Sequence, residues 1–462
     1  MGYGVGIVDS HCYDGTMFDY SPERLHEIAA DVLKTARNLG ASSAAVDISE
    51  ASGLSVNVRM GHVETIEQTR DKGVGVTVYL GHKRGHASTS DFSPKALHDA
   101  VDAAYQIARH TGDDDCAGLP DPETLATEFP DLDLFHRWDI SVEDAIALGK
   151  RMEAAAFATS PLIRNSDGAS VGVSHGHFVA ANSLGFSGGY PYSRHSIGCA
   201  PIAQRGNAMQ RDDWYSSSPV PARLSDPEKL GRYAAERALS RLGARSLSTR
   251  KVPVLFESPL ACGLLGHFVQ ATSGGALYRR TSFLVDSLGR DVFAPHLDIV
   301  EDPHIPSETG SSAFDSEGVA TQRRTVVAGG RLNGYFLSTY SARKLGMNTT
   351  GNAGGSHNLS LTSRLTRQLD DLPAMIERMG TGLLVTELLG QGVNYVTGDY
   401  SRGACGYWVE GGRIRYPVEE ITIAANLRDM FMGIVAVGSD VIQRGTKRTG
   451  SVLIDQMSVA GA

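Results

Sequence analysis

Within its first quarter the chain switches hydrophobic period twice, and that switch constrains the fold more than any other feature. The run "SPERLHEIAADVLKTARNLGA" opens with Ser21 at an N-cap, Pro22 at the first helical position and Glu23 in the first turn, and closes at Gly40. Those residues start and stop a helix, because a hydroxyl and a negative charge suit the unpaired amides of a helix N-terminus. The period then falls to two through "AAVDISE", "LSVNVRMG", "VETIEQTR", "GVGVTVYLG" and "RGHASTSD", five pieces set between Gly and Asp turns. A second helix, "SPKALHDAVDAAYQIARHT", repeats the Ser-Pro entry at Ser93 and Pro94. Helix, antiparallel meander and helix make a complete α+β layer, an N-terminal domain over 1–116.

The stretch "GDDDCAGLPDPETLATEFPDLDLFHRWD" carries the Pro, Gly and Asp content of an ordered linker, placed at 117–138. A central α+β domain follows over 139–246. Ser141 and Asp144 pair as a cap at its start, strand-like segments run from Arg164 to Tyr215, and a final helix has Ser225 and Glu228 as a capping box and Gly243 as its stop. From residue 247 to 462 the texture is β-rich and dense in glycine, as in "TGNAGGSHN" and "GTGLLVTELLGQG". Such glycine suits close strands, bulges and backbone-lined clefts. No phosphate loop and no dinucleotide fingerprint is present, and no residue-level repeat.

With 462 residues the chain exceeds a single core, and a charged fraction of 21% is that of a soluble globular protein. A net charge of −9 without clustered Lys and Arg argues against a nucleic-acid partner. No apolar run approaches the ~20 residues of a membrane span. The opening "MGYGVGIVDSHCYDG" has neither a basic n-region nor an apolar h-region, and the five cysteines, Cys12, Cys116, Cys199, Cys262 and Cys405, form no C-x-x-C. Reduced thiols and a cytoplasmic location are the expectation.

Five groups carry candidate chemistry. His267, in "SPLACGLLGHFVQATSGG", sits on a helix starting near Ser258, on one face with Leu264, Phe268 and Ala271; it is either a hydrogen-bonded core histidine or a ligand. Cys405, in "RGACGYW", is either a small buried hydrophobe or a nucleophile in need of a base. Asp315 and Glu317 in "FDSEGVATQRR" read as paired carboxylates on one strand face, with Arg323 and Arg324 as their structural partners. Ser341 and Lys344 have a Ser-Lys spacing of little specificity. Asp113, Asp114 and Asp115 lack the spacing of a calcium loop and read as linker.

"AFDSEGVATQRR", "STYSARKLG", "TGNAGGSHN", "MGTGLLVTELLGQGVNYVTGDYSRGACGYWVEGG", "YPVEEITIAANL" and "GSVLIDQMSVAG" together resemble the TldD/PmbA metalloprotease family, and its PmbA (TldE) branch in particular. The likeness extends from about residue 40 through nearly all of the chain. It implies a three-part chain and a two-subunit protease. In that protease the TldD-type subunit holds zinc through H-E-x-x-x-H and a later cysteine, and unfolded peptides enter a chamber between the subunits. Carried over by residue, His267 stands at the first histidine, Phe268 at the glutamate, Thr272 at the second histidine and Cys405 at the cysteine. The general base is thus replaced by a phenyl ring, so the resemblance implies a degenerate metal-site region. It also implies no catalytic residue and no cofactor in this chain, with zinc in a TldD-type partner. A heterodimer with that partner is expected, and a homodimer when the chain is alone. The alternatives are an autonomous amide hydrolase using Cys405 or a degenerate metal site at His267, and a peptide-binding scaffold.

Overall fold

The computed structural model describes residues 17–461, so the opening "MGYGVGIVDSHCYDG" with Cys12 lies outside the described residues. Helix α1, Pro22–Asn38, starts where the Ser-Pro entry places it, with the Ser21 hydroxyl accepting from the Arg24 amide at 3.2 Å, a cap of ~1 kcal/mol. Its buried positions Leu25, Ile28, Ala29, Val32 and Ala36 fall at helical spacing on one stripe. Helix α2, Pro94–His110, is capped by Ser93 and packs beside it.

The five alternating pieces between these helices form only three strands, β1 (Ser43–Arg59), β2 (His62–Leu80) and β3 (Lys83–Thr89), in an antiparallel meander. Gly53 and Asp71, which stand in gaps between these pieces, lie within β1 and β2. The ladder runs unbroken past Gly53 on both sides, and a Cβ there would meet the Thr69 hydroxyl at 2.8 Å. Pairing on two edges therefore overrides the glycine's weak strand propensity.

Helix α3, Val142–Thr159, is capped by Ser141 as expected. Strands β4 (Ile163–Asn182), β5 (Ser187–Arg205), β6 (Ala208–Arg211) and β7 (Trp214–Ser218) follow, and helix α4, Pro227–Ser240, closes the unit. Its cap is Asp226 rather than Ser225, the carboxylate accepting from the Lys229 amide at 2.8 Å. With Pro227 at the first helical position, Asp226 is the residue left outside the turn.

β4 pairs antiparallel with β1, from Ala45 with Asn182 to Val58 with Ala169. One seven-stranded sheet, ordered β3-β2-β1-β4-β5-β6 with β7 on β5, therefore spans the N-terminal and central units. Each unit keeps its own core on it. α1 and α2 cover Val46, Ile48, Val76 and Val179, while α3 and α4 cover Val56, Val58, Val171 and Ile197. Their even positions along β1 share one face, so the odd positions, Ala45 and Asp47 among them, face the other way. The segment between the units is strapped to the C-terminal part: the Ala126 amide donates to the Gly318 carbonyl and the Ala320 amide to the Thr124 carbonyl, each at 2.9 Å.

In the C-terminal part, strand β8 (Arg250–Phe256), Val452–Gly461, Arg413–Asn426, Asp399–Glu410 and Gly382–Leu389 pair in succession. The last pairs back with both Asp399–Glu410 and β8, so the ribbon closes on itself. A six-stranded sheet lies beside it, and helix α5, Ser258–Ala271, packs between, contributing Leu264, Leu265 and Phe268 to the largest hydrophobic cluster. The fold is α+β. Among the described residues no helix is long and apolar enough to cross a membrane, and the four described cysteines form no disulfide.

Candidate functional site

α5 begins at Ser258, and its buried stripe holds Leu264, Phe268 and Ala271. His267 lies beside that stripe, half-buried, with Nδ1 at 2.8 Å from the Tyr395 hydroxyl and the Tyr400 ring edge-on at 5.7 Å. Burial, and then the nearby Arg402 guanidinium, pull the imidazole down to about 4, so it is neutral at pH 7. Phe268 is 0% exposed and meets Phe293, Phe336 and Phe431 edge to face, with ring centroids at 5.2, 6.1 and 6.4 Å. Thr272 is equally buried, its hydroxyl donating to the Phe268 carbonyl at 2.6 Å. The hydroxyl thus satisfies the helix end instead of turning outward.

Zinc needs converging nitrogen, sulfur or carboxylate ligands. One imidazole is present here, tied to a tyrosine, with an arginine beside it whose permanent positive charge repels a divalent ion. Among the described residues no three His, Cys, Asp or Glu side chains form a group able to hold a metal. The residues at this place do not fit zinc.

Cys405 is not part of that neighbourhood. Tyr400 and Arg402, at even positions of strand Asp399–Glu410, lie on the His267 side. Cys405 is at an odd position, inside a bulge between Ala404 and Gly406, opposite Glu387. What the flanking glycine admits is backbone: a Cβ on Gly406 would stand 1.9 Å from the Leu384 carbonyl oxygen. The thiol is 5% exposed, and burial pushes it up, with Arg241 opposing and Glu387 and Glu419 adding to the rise. A nucleophilic cysteine needs the reverse, a thiolate stabilised by its surroundings.

Around Cys405 lies a buried ion network between α4 and the C-terminal part. Arg237 pairs with Glu257 at 2.7 Å and with Asp212 at 3.2 Å, and Arg241 pairs with Glu387. Sequence reasoning missed Tyr395, Arg402, Arg241 and Glu387. Only the shared parity of Tyr400 and Arg402 hinted at a common face, and no pattern pointed to partners so distant in sequence.

The weaker motifs are structural in their first contacts. Asp315 and Glu317 do not alternate on a strand. The Asp315 carboxylate accepts from the amides of Glu317, Val319 and Ala353 at 2.9, 3.0 and 2.8 Å, clamping a turn, and burial raises it to about 6. Arg323 and Arg324 pair with Asp302 and Glu301 instead. Ser341 completes a capping box with Ser338, and Lys344 reaches Asp114 at 2.8 Å. That contact, then the Tyr340 hydroxyl and the Cys116 amide, hold Asp114 down at about 2.

Models of three consecutive domains match the chain: PmbA/TldA metallopeptidase domain 1 over residues 44–108, the central domain over 135–242 and the C-terminal domain over 249–461. The chain is 45% identical over 442 residues to the metalloprotease PmbA of Escherichia coli O157:H7, covering 95% of this chain and 97% of that protein. A metalloprotease PmbA homolog of Haemophilus influenzae is 44% identical over 439 residues, covering 95% and 96%. A crystal structure from Bacteroides thetaiotaomicron, described as a modulator of DNA gyrase, superposes with a TM-score of 0.89 at 26% identity, over 96% of this chain and all of that one. Domain models spanning most of the chain and full-length identity of this order agree with one another: the chain belongs to the PmbA/TldD metallopeptidase family.

Proposed function

We propose that this chain is the non-catalytic, PmbA/TldE-type subunit of a cytoplasmic two-subunit zinc metalloprotease. Zinc and the general base belong to a TldD-type partner, and this chain closes the chamber in which unfolded peptides are processed. The observation that carries the reading is Phe268. A phenyl ring sealed among three others stands where the family's acid would activate water, and among the described residues no three His, Cys, Asp or Glu side chains form a group able to hold a metal. A general base contributes ~10²- to 10⁴-fold, so a chain without one is a poor hydrolase whatever it binds. Its contribution to substrate is strand pairing, for which the large sheet ends in the short edge strands β3 and β6.

Autonomous hydrolysis through Cys405 has the weaker support, since the thiol is buried and its acidity lowered. The two readings part on zinc content and cleavage of an unfolded peptide, measured for this chain alone, for a TldD-type subunit alone and for the mixture. Cleavage only in the mixture, with zinc in the partner and no change on Cys405→Ala, is the expected result. Cleavage by this chain alone that disappears with Cys405→Ala or His267→Ala would sink the proposal.

A further inference from the structure

The side of α5 that holds His267 faces positive charge that no carboxylate balances. Arg402, at an even position of strand Asp399–Glu410, is half-buried on the His267 side. Strand register surrounds it with apolar neighbours. Arg402 pairs with Ile423; on the same face Tyr400 pairs with Ala425 and Val393, and Ala404 with Ile421 and Leu388. No acid stands at any of these positions, and Arg402 forms no ion pair among the described residues. Nor does Tyr400 supply a charge, because burial pushes its phenol up to about 12 and keeps it protonated at pH 7.

The guanidinium has an inner and an outer side. Its Nε and the Tyr400 hydroxyl are sealed from solvent without a hydrogen-bond partner, so no ligand reaches either. The two terminal nitrogens are not sealed and form no hydrogen bond among the described residues, which leaves the fork of the guanidinium open. Beside it His267 Nδ1 lies 2.8 Å from the Tyr395 hydroxyl; with that nitrogen accepting, Nε2 carries the ring proton and is likewise open.

A second cation borders the same helix turn. The half-buried Lys447 has its Cε 3.8 Å from where a Cβ on Gly266 would stand, and its ammonium forms no ion pair among the described residues. Two uncompensated cations partly out of water hold a positive potential at this place, which attracts the opposite of a metal ion.

We propose that the face of α5 around His267 binds a small oxyanion, with two of its oxygens on the terminal nitrogens of Arg402 and a further hydrogen bond from His267 Nε2. A carboxylate and a phosphate both present two oxygens at the spacing of the guanidinium N–H groups, so the fork takes either. The site lies wholly within this chain and needs neither zinc nor a partner subunit. It therefore stands or falls apart from the protease reading.

The test follows the His267 ring signals of the full chain by NMR, assigned from their loss in His267→Gln. Potassium phosphate, acetate and chloride are each titrated at constant pH and ionic strength. A saturable shift of the His267 signals is expected with an oxyanion and not with chloride. Saturation by phosphate alone identifies a tetrahedral ligand, and saturation by acetate alone a carboxylate. Arg402→Lys keeps the charge and loses the fork, and should weaken binding roughly tenfold; Arg402→Gln should abolish it. Far-UV circular dichroism checks that both variants keep the fold, and Arg402→Lys decides if Arg402→Gln does not. No saturation with either oxyanion, an equal response to chloride, or binding unchanged in the Arg402 variants overturns the proposal.

Discussion

The surroundings of Phe268 and of Cys405 are two answers to one question, how the C-terminal part fills its interior beside a half-buried histidine and a buried thiol. Around Phe268 the answer is apolar: four aromatic rings at edge-to-face or stacked distances, with His267 at their margin. Around Cys405 it is ionic: two arginines and three carboxylates hold α4 against the C-terminal part. Packing of the first kind tolerates no charge. The second kind tolerates charge only in matched pairs, because each ion has already lost most of its water.

Placing an acid at position 268 is the sharpest way to break the contrast. Phe268→Glu places an unpaired carboxylate among Phe293, Phe336 and Phe431, at an expected cost of more than ~4 kcal/mol and with no gain of zinc, read by thermal unfolding and metal analysis. A variant that stayed stable and bound zinc would show that the aromatic cluster is an open site.

The ionic region should respond differently. Arg237→Met strands Glu257, which is 6% exposed, and should cost about 3 kcal/mol in denaturant unfolding. Adding Glu257→Leu should recover much of that loss, since it removes the stranded carboxylate, while Asp212, the other partner, keeps Arg241 at 3.7 Å. No such recovery is expected for any second change beside Phe268→Glu.

The smallest effect concerns His267 and is seen through pH. Its folded-state value of about 4 lies below the unfolded 6.5, so the unfolded chain binds the extra proton first. Stability from this group is complete above about 6.5 and declines as pH falls toward about 4. His175, also held near 4, first by burial and then by the neighbouring His195, contributes a loss of the same sign. His267→Gln should therefore make the acid-side slope of stability shallower by up to ~2 kcal/mol across that window, without abolishing it. An unchanged slope would mean that the imidazole is freely hydrated.

Local chemistry was legible where it is decided locally. Ser21, Ser93 and Ser141 cap the helices they announce, and the phenyl ring that follows His267 is visible in the letters alone. Ser225 failed because Asp226, next to it, serves the same role and only the path of the backbone chooses between them. Gly53 misled for a related reason, since a glycine's preference for a break yields to ladders on both sides of a strand.

By itself the sequence determined the capped helix starts, the α+β class and the family, since each depends on residue type and on spacing along the chain. Tertiary structure alone decided that β1 and β4 join two units into one sheet and that Cys405 turns away from His267. Each of these turns on the register between strands or on a bulge. A shift of one residue exchanges the two faces of a strand and leaves its local pattern intact, so it is settled by packing across the whole domain.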